Sequence, residues 1–318
     1  MNPSAIVGVD VGGTKIAAGW MRWPGEQRHG PRVISTEAAR GGRAVLDDVL
    51  GLARELASEA QKGGASVAAI GLGICELVDR EGRLASANCI PWLDLPAREE
   101  LAVVAPTVFE ADVRAAALAE ARWGAGRGFH SFLYVTVGTG ISCCLMLAGQ
   151  PYLGARGATG TMASSPLGVP CERCGHVNTA TLEEIAAGPA LVARFRAAGG
   201  DAHSGQDVLA AAAGGDERAR RVVETASGAL ESQVALLVNT LDPEAVVIGG
   251  GLGLSEGPYW EHFIAATRRH IWSDLHRGMP ILRAALGTDA GWMGAALRAA
   301  STFWTSITDK ANTGSNTL

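Results

Sequence analysis

The run from Ile6 to Gly19 constrains the fold of this chain more than any other part of its sequence. An apolar segment rich in β-branched residues reaches Asp10, and Gly12-Gly13-Thr14-Lys15 and a second apolar segment follow. This pattern predicts a strand, a tight turn and a second strand, because glycine supplies the positive φ angles that a short hairpin needs. An ordinary hairpin with an exposed lysine is the simplest interpretation of the pattern.

The same turn also carries the groups of a phosphate site. Gly12 and Gly13 let backbone N–H groups approach an anion closely. Thr14 adds a hydroxyl donor, and Lys15 adds a positive charge. Asp10, at the end of the first predicted strand, is placed to hold a hydrated Mg²⁺ beside that anion. The stretch therefore predicts a site for a phosphate and its magnesium ion.

Length and composition limit the classes of protein that fit. A chain of 318 residues favours two domains over one, and its 47% hydrophobic and 19% charged residues are typical of globular proteins. It has no apolar stretch of membrane-spanning length and no signal-peptide pattern. The six scattered cysteines favour reduced thiols, and a net charge of −5 without a dense basic run argues against nucleic-acid binding. We therefore expect a cytoplasmic protein without a membrane or nucleic-acid partner.

A second copy of the opening pattern lies in the middle of the chain. The apolar run from Phe132 to Val137 leads into Gly138-Thr139-Gly140, and a further apolar run covers Ile141 to Leu147. A third glycine turn, Gly249-Gly250-Gly251, follows the apolar run from Ala245 to Ile248. The repeat predicts a duplicated α/β protein that holds a nucleotide in the cleft between its two copies.

The connecting segments predict helices, one loop and a tail. Apolar residues at helical spacing predict helices at Arg43 to Gln61, Val113 to Trp123 and Ala290 to Trp304. Trp20 to Pro31 mixes prolines, glycines and charges, which predicts a loop. Ser306 to Leu318 is polar and without periodicity, which predicts a frayed tail.

Four motifs resemble, in order and spacing, those of the ROK family of sugar kinases and regulators in the hexokinase and actin superfamily. They are Asp10 to Lys15, Val137 to Ile141, Asp242 to Gly251 and Leu286 to Ala296. The resemblance implies an α/β, two-lobed, duplicated actin-like ATPase fold (ribonuclease H-like) with an interdomain cleft. It also implies that ATP with Mg²⁺ is the phosphate donor. The first two motifs would contact its phosphates, and Gly249-Gly250-Gly251 would contact its adenosine.

The same resemblance implies a division of the chain into lobes. Residues 1–112 would form an N-terminal α/β lobe and residues 113–290 a C-terminal α/β lobe. Residues 291–305 would form a closing helix that packs back toward the N-terminal lobe, and residues 306–318 the frayed tail. By analogy with the family, we expect a homodimer.

A catalytic base is implied as well. Kinases of the family carry an Asn-Asp pair after a Glu and before an alanine-rich helix, and this chain has Glu110-Ala111-Asp112 at that place. Asp112 would accept the proton of the acceptor hydroxyl as that oxygen attacks the γ-phosphate. The alternative role for Asp112 is a helix N-cap, which its place between a strand and a helix favours, and both roles can hold at once.

Several sugar ligands of the family are altered in this chain. Ala111 stands where the family has an asparagine, and Gly160-Thr161-Met162-Ala163-Ser164 aligns with a Gly-Glu-x-Gly-His segment that binds sugar hydroxyls. Glu183 still matches a sugar-binding glutamate of the family, and Asn88 lies in a loop that resembles its Pro-Asn segment. We expect Asn88, Thr161 and Glu183 to contact the substrate together with the base.

The zinc site of the family is incomplete here. Cys171 and Cys174 match two of its cysteines, His176 offers a third ligand, and Thr181 stands where the last cysteine would be. Structural zinc prefers four ligands, so we expect a loop without metal. A zinc site with a fourth ligand from elsewhere in the chain is the alternative.

The phosphate motifs and the base are therefore intact, whereas ligands of the glucose ring are lost. Each lost hydrogen bond would cost about 1–3 kcal/mol if glucose remained the substrate. We expect an ATP-dependent kinase acting on a primary hydroxyl of a sugar-like molecule, and the altered ligands favour a C7-cyclitol. A glucokinase or another hexose or N-acylhexosamine kinase is the alternative, and a non-catalytic sugar-binding regulator is the alternative from another class. The Glu-x-Asp order argues against a carboxylate kinase.

Overall fold

The structure, a computed structural model, describes residues 4–24, 27–168, 174, 179–256 and 258–313. The chain divides into two structural units, each built from separate parts of the sequence. Unit 1 contains Met1–Gly124, Leu153–Thr159 and Thr288–Leu318, and unit 2 contains Ala125–Tyr152 and Gly160–Gly287.

Strands and helices alternate along most of the described chain. The strands are β1 (Ser4–Val11), β2 (Lys15–Trp23), β3 (Arg28–Ser35), β4 (Ser66–Ile74), β5 (Thr107–Ala111), β6 (Ser131–Val137), β7 (Ile141–Leu147), β8 (Gln150–Pro151), β9 (Ala245–Gly249) and β10 (Ile281–Arg283). The helices are α1 (Gly42–Lys62), α2 (Ala97–Ala102), α3 (Asp112–Trp123), α4 (Leu182–Ala186), α5 (Gly188–Ala197), α6 (Gly205–Ala213), α7 (Glu217–Leu241), α8 (Pro258–His270), α9 (Asp274–Arg277) and α10 (Ala290–Thr313).

Unit 1 is built on a five-stranded mixed sheet with the order β3-β2-β1-β4-β5. β1 pairs antiparallel with β2 across the Gly-rich turn, and parallel with β4, which in turn pairs parallel with β5. Because the three parallel strands point the same way, the residues that follow them meet at one edge of the sheet. Asp10 lies opposite Gly73, and Gly73 lies opposite Glu110, so the ends of the three strands are in register.

Helix α1 covers part of this sheet with the apolar face that its sequence spacing predicts. Val45, Leu46, Val49 and Ala53 on this face are completely buried in the core of unit 1. The helix ends at Gly63-Gly64, where Gly64 adopts a positive φ of 77°. The predicted helix from Arg43 to Gln61 is therefore confirmed, with one further residue at each end.

Helix α10 packs against β1, β4 and α3 through glycines that allow backbone to touch backbone. A Cβ atom on Gly8 would lie 2.0 Å from the carbonyl oxygen of Trp292, and one on Gly71 would lie 1.8 Å from that of Ala295. A Cβ atom on Gly294 of α10 would lie 1.6 Å from the carbonyl oxygen of Ala115. Only glycine fits at these three contacts, because any side chain would overlap backbone that cannot move aside.

We expect Gly71→Ala to destabilise the protein by about 3 kcal/mol, near the upper end for overpacking, because the added methyl group overlaps α10. Gly51→Ala is the matched control, since a Cβ on Gly51 of α1 meets nothing within 4 Å. That change should stabilise the helix by about 0.5–1 kcal/mol. Urea unfolding of both variants measures the difference, and equal midpoints would contradict the described packing.

The sheet of unit 2 has the same topology as that of unit 1. Its order is β10-β9-β6-β7-β8, with β6 antiparallel to β7 and parallel to β9, and β9 parallel to β10. Each strand of unit 2 therefore has a counterpart at the same place in the sheet of unit 1. This equivalence confirms the predicted duplication of an α/β fold, which the structural neighbours described below share.

The core of unit 2 lies between its sheet and a layer of helices. The longest of these, α7, buries Val222, Leu230, Val234 and Val238 along one face. Its first turn is capped by Asp216, whose side chain accepts hydrogen bonds from the N–H groups of Arg218 and Ala219. Capping satisfies helix N–H groups that have no partner within the helix itself.

The structure differs from the sequence prediction in three segments of unit 1. Residues 28–35 form the edge strand β3 where a loop was predicted as far as Pro31. The first part of unit 1 ends at Gly124 rather than at residue 112, because α3 packs with α10. Helix α10 continues to Thr313, whereas the tail was predicted from Ser306, since neither glycine nor proline interrupts the sequence before Gly314. Residues 314–318 lie outside the described residues.

Across the described part of the chain, no helix combines the length and the apolar character that crossing a bilayer requires.

Candidate active site

The predicted phosphate turn of unit 1 is closed by hydrogen bonds within the turn and to Thr36. The N–H of Gly12 donates to the carbonyl oxygen of Lys15 at 3.0 Å, and the N–H of Thr36 donates to that of Thr14 at 3.0 Å. The Thr36 hydroxyl donates to the carbonyl oxygen of Gly12 at 2.6 Å. Thr36 is completely buried, so it fixes the turn from inside unit 1. Sequence reasoning missed this residue.

One physical argument for this turn was wrong. Positive φ angles occur at other glycines of the described chain, but neither Gly12 nor Gly13 adopts one. The hydrogen bonds to Thr36 and Lys15 close the turn without them. The absence of a Cβ serves close approach instead, since a Cβ on Gly12 would lie 3.2 Å from the carbonyl oxygen of Lys15.

Asp10 is half-buried near the end of β1, against the first turn of α10. Its Oδ2 approaches Gly291 so closely that a Cβ there would lie 2.1 Å away. Its Oδ1 is buried and has no hydrogen-bond partner. Burial and the charge of Asp112 raise the pKa of Asp10 from 3.8 to about 7, against the opposing charge of Lys15. A carboxylate oxygen in this state fits a ligand of a hydrated divalent cation.

Asp112 is the first residue of α3 and follows β5 directly. It is half-buried, and its Oδ1 accepts a hydrogen bond from the N–H of Val113 at 2.6 Å. Burial raises its pKa from 3.8 to about 6, helped by the charge of Glu76 and opposed by the Val113 hydrogen bond and Arg114. The N-cap of α3 is Ala111, so the alternative of Asp112 as N-cap is wrong.

The structure thus brings Asp10 and Asp112 to one edge of the sheet of unit 1. Asp10 lies near the end of β1 and Asp112 directly follows β5, and the charge of Asp112 acts on the pKa of Asp10. A carboxylate whose pKa is raised by burial and by a second carboxylate favours a nearby cation or a proton on one of the two groups. Such an arrangement is compatible with phosphoryl transfer from a magnesium-bound phosphate.

A buried ion pair lies behind Asp112. Glu110 Oε1 accepts hydrogen bonds from Arg114 Nε at 2.6 Å and from the N–H of Ala111 at 2.9 Å, and Glu110 Oε2 lies 3.2 Å from Arg298 Nε. The guanidinium of Arg114 also donates to the carbonyl oxygens of Gly157 at 3.1 Å and Val78 at 2.6 Å. The side chains of Glu110 and Arg114 are each only 3% exposed.

Asn88, a predicted substrate ligand, lies in a loop of unit 1 that Glu76 holds by its carboxylate. The N–H of Asn88 donates to Glu76 Oε2 at 2.9 Å. Glu76 also acts on the pKa of Asp112, so the loop belongs to the same edge of the sheet as the two aspartates. Glu76 was missed by sequence reasoning because its partners lie ten to fourteen residues further along the chain.

In unit 2 the second glycine turn follows β6 as the first follows β1. The N–H of Gly138 donates to the carbonyl oxygen of Gly140 at 2.9 Å, and the N–H of Gly188 donates to that of Gly138 at 2.8 Å. The N–H of Ile141 donates to Glu183 Oε2 at 2.9 Å. The structure therefore brings Glu183, a predicted substrate ligand, to the predicted phosphate turn.

The triple-glycine turn lies beside this second turn within unit 2. A Cβ on Gly138 would lie 3.7 Å from the N atom of Gly251. Gly250 has a φ of 81°, and a Cβ there would lie 2.4 Å from the carbonyl oxygen of Val137. Glycine is thus required at Gly250 by both conformation and contact. The two segments predicted to contact the nucleotide are neighbours, as β6 and β9 pair in parallel.

Thr161 lies in an exposed loop of unit 2 that follows Gly160. Gly160 adopts a φ of 90° and accepts hydrogen bonds from the Cys143 N–H at 3.1 Å and the Ser142 hydroxyl at 3.2 Å. Thr161 then precedes a short 3₁₀ turn at Met162–Ser164. Its predicted contact with the substrate stays a prediction.

The predicted zinc ligands fall largely outside the described residues. Cys171 and His176 are not described, and Cys174 is described alone, as an exposed residue. Thr181, at the place of the last family cysteine, caps α4 by accepting a hydrogen bond from the N–H of Glu184 at 3.2 Å.

A sequence profile of the ROK family matches residues 6–301. The chain belongs to the ROK family. The bifunctional enzyme NanE/NanK of Brucella melitensis is 32% identical over 301 residues, which cover 94% of this ROK chain and 55% of that relative. The ROK chain thus spans about half the length of the first curated relatives that it matches.

Two shorter curated relatives match the ROK chain over nearly their whole length. The glucokinase of Halalkalibacterium halodurans is 29% identical over 320 residues, covering 92% of this chain and 94% of the relative. The N-acetylmannosamine kinase of Shigella flexneri is 29% identical over 305 residues, covering 92% of this chain and 98% of the relative.

Solved structures of ROK proteins share the fold. The ROK hexokinase from Thermus thermophilus is 35% identical with a TM-score of 0.74, covering 96% of this chain and 99% of that chain. The ROK glucokinase from Streptomyces griseus, in complex with glucose and AMPPNP, is 26% identical with a TM-score of 0.79. The match covers 94% of this chain and 100% of that chain. The predicted actin-like α/β fold class is therefore confirmed, and the predicted cleft stays a prediction.

Proposed function

We propose that this chain is an ATP-dependent kinase that transfers the γ-phosphate to a hydroxyl group of a sugar or a sugar-like molecule. The observation that carries the proposal is the pair of Asp10 and Asp112 at one edge of the unit 1 sheet. Membership of the ROK family and relatives named as sugar kinases support it.

Asp112 is the general base of this proposal. Its carboxylate would accept the proton of the acceptor hydroxyl while that oxygen attacks phosphorus. A pKa of about 6 keeps it largely ionised at neutral pH and closer to an alcohol in basicity than an ordinary aspartate. The hydrogen bond from Val113 and the buried pair of Glu110 and Arg114 hold the start of α3 in place.

Asp10 would hold Mg²⁺, either directly or through water. Its buried Oδ1 has no partner in the protein, and carboxylate oxygen is the donor that Mg²⁺ prefers. The ion, when bound with the nucleotide, neutralises the charge that develops on the transferred phosphoryl group. The lone carboxylate fits the usual magnesium site of kinases, in which most ligands are water and phosphate.

The glycine turns would contribute backbone donors to the nucleotide. In unit 1 these come from the turn at Gly12 to Lys15, and in unit 2 from Gly138 to Gly140, with Gly249 to Gly251 facing the adenosine. The N–H groups of Gly12 and Gly138 already donate within their own turns, so we do not assign these two donors to the phosphates.

Two acceptor classes fit different observations. A hexose or N-acylhexosamine fits the relatives named glucokinase and N-acetylmannosamine kinase. A C7-cyclitol fits the loss of sugar-ring ligands at Ala111, Thr161 and Ser164, and this finer proposal rests on those three residues alone.

A panel of acceptors tests both the activity and the acceptor class. Purified protein with ATP and Mg²⁺ is assayed for ADP release with glucose, mannose, N-acetylmannosamine, N-acetylglucosamine and C7-cyclitols. We expect acceptor-dependent ADP release with at least one member, and its kcat/KM decides between the classes. If no acceptor of the panel stimulates ADP release, the result would contradict the proposed kinase activity. The non-catalytic sugar-binding regulator would then be the remaining alternative.

The pH dependence of the reaction should reflect the raised pKa of Asp112. We expect kcat/KM for the acceptor to fall about tenfold per pH unit below pH 6, because protonated Asp112 cannot accept a proton. The titration of Asp10, near pH 7 without metal, should move to lower pH at saturating Mg²⁺, whereas that of Asp112 should not follow it. A flat profile from pH 5 to pH 8 would contradict the role of Asp112.

A further inference from the structure

Glu76 lies two residues beyond β4, and its carboxylate accepts four hydrogen bonds from one loop. Oε2 accepts from the Ser86 hydroxyl and from the N–H of Asn88 at 2.9 Å. Oε1 accepts from the N–H groups of Cys89 at 2.5 Å and Ile90 at 2.7 Å. Glu76 is 6% exposed, so these bonds replace almost all of its contact with water.

The hydrogen bonds to this carboxylate fix the conformation of the loop. Residues 86–90 lie outside the strands and helices, and the consecutive N–H groups of Asn88, Cys89 and Ile90 all donate to Glu76. Among the ion pairs of the described residues, none includes Glu76. Its charge is therefore balanced by N–H and O–H dipoles, and hydrogen bonds to a buried charge are among the stronger ones in proteins.

Two further contacts are made by Cys75, the residue before Glu76, one to the edge of the sheet that carries the aspartates and one to the loop. The N–H of Cys75 donates to the carbonyl oxygen of Val11 at 3.1 Å, which joins the end of β4 to the residue after Asp10. The neighbouring Cys89 side chain and burial raise the pKa of the Cys75 thiol, so Cys89 of the loop lies beside Cys75.

We propose that Glu76 is a positioning residue, which holds residues 86–90 in the conformation that presents Asn88 to the acceptor beside Asp112. This inference rests on the proposed kinase function, because it concerns how the kinase binds its acceptor. In this proposal Glu76 acts through the loop, because its two oxygens already accept four hydrogen bonds from it. Its part in the reaction is to set where the acceptor binds.

Amide hydrogen exchange tests the positioning without any catalytic assay. In Glu76→Ala we expect the amides of Asn88, Cys89 and Ile90 to exchange about tenfold faster or more, because each loses a charge-assisted hydrogen bond. Glu76→Gln keeps one acceptor oxygen, so it should restore protection in part. Glu99→Gln, at an exposed glutamate of α2, is the matched control and should leave the three amides unchanged.

Steady-state kinetics then test whether the positioned loop serves the acceptor. For Glu76→Ala we expect KM for the acceptor to rise about tenfold, whereas KM for ATP should stay within about twofold of the wild-type value. The acceptor KM of Glu76→Gln should lie between those of the wild type and Glu76→Ala. General destabilisation would instead change both KM values or lower the active fraction without this split. Folded content by circular dichroism accompanies each variant, and the glutamine variant keeps the test valid if the alanine variant fails to fold.

The outcomes separate this inference from the kinase proposal. Unchanged exchange at the three amides would overturn the positioning role whether or not the protein is a kinase. Faster exchange with an unchanged acceptor KM would overturn the link between the loop and the acceptor. A wild-type protein that phosphorylates no acceptor would overturn the proposed function, while the exchange result would still decide whether Glu76 holds the loop.

Discussion

Asp112→Asn is expected to lower kcat by about 10²- to 10⁴-fold, the range that general-base catalysis contributes. Asparagine keeps the size of the side chain but cannot accept the proton of the acceptor hydroxyl. KM for ATP should change little, because the proposed nucleotide contacts lie in the glycine turns. Initial rates at pH 8 with the best acceptor of the panel measure the loss. Asp201→Asn, at an exposed aspartate of unit 2, is the control of equal charge change and should keep full activity.

The same variant should not be less stable, which separates lost chemistry from lost structure. The pKa of Asp112 is raised to about 6 in the folded protein, so its ionised form is less favourable there than in the unfolded chain. Its contribution to stability is present below pH 3.8 and is lost as the pH rises through about 6. We therefore expect Asp112→Asn to unfold at an equal or higher temperature at pH 8. A large fall in melting temperature together with the fall in kcat would contradict this account.

Arg114→Met is expected to lower the free energy of unfolding by about 3 kcal/mol, because it leaves the buried carboxylate of Glu110 without its main partner. The value lies at the lower end for a broken buried pair, since Arg298 Nε still lies 3.2 Å from Glu110 Oε2. The bonds from Arg114 to the carbonyl oxygens of Val78 and Gly157 are lost as well. Urea unfolding followed by circular dichroism measures the change.

Two further variants show whether the unpaired charge is the cause. Adding Glu110→Met to Arg114→Met should recover part of the loss, because a buried ion pair often exchanges for apolar side chains at little net cost. Arg83→Met breaks an exposed pair with Asp79 and should cost less than about 1 kcal/mol. Equal losses in Arg83→Met and Arg114→Met would show that burial of the pair does not matter.

The arrangement of unit 1 could be predicted where local sequence decides it. Continuous apolar runs at β1, β2 and β4 and the apolar face of α1 require burial, so their place follows from the residues themselves. The edge strand β3 was missed because most of its residues face solvent and no apolar alternation marks it. The close packing of α10 on Gly8 and Gly71 was beyond prediction from sequence, since a glycine shows nothing of the backbone that will touch it.

The residues of the candidate site likewise fall into those that could be predicted from the sequence and those that could not. Asp10 was predicted because it ends a recognisable strand before a glycine turn, and Asp112 because Glu110-Ala111-Asp112 resembles the catalytic segment of the family. Thr36 and Glu76 were not, because each acts on a segment distant in sequence and carries no local pattern of its own. Residues that bind through short motifs are therefore visible in the sequence, whereas residues that hold those motifs in place became visible only in the structure.

The place of α10 has a consequence for how the chain is made. Its residues, Ala290–Thr313, complete a unit whose sheet begins at Ser4, and α10 is synthesised last among the described elements. Unit 2 ends at Gly287, so it can bury its core while the sheet of unit 1 still lacks this cover. Domains usually fold in the order in which the ribosome releases them. Among the described elements, the five strands of the unit 1 sheet are therefore made long before α10, and the sheet lacks the cover of that helix until the last of these elements is made.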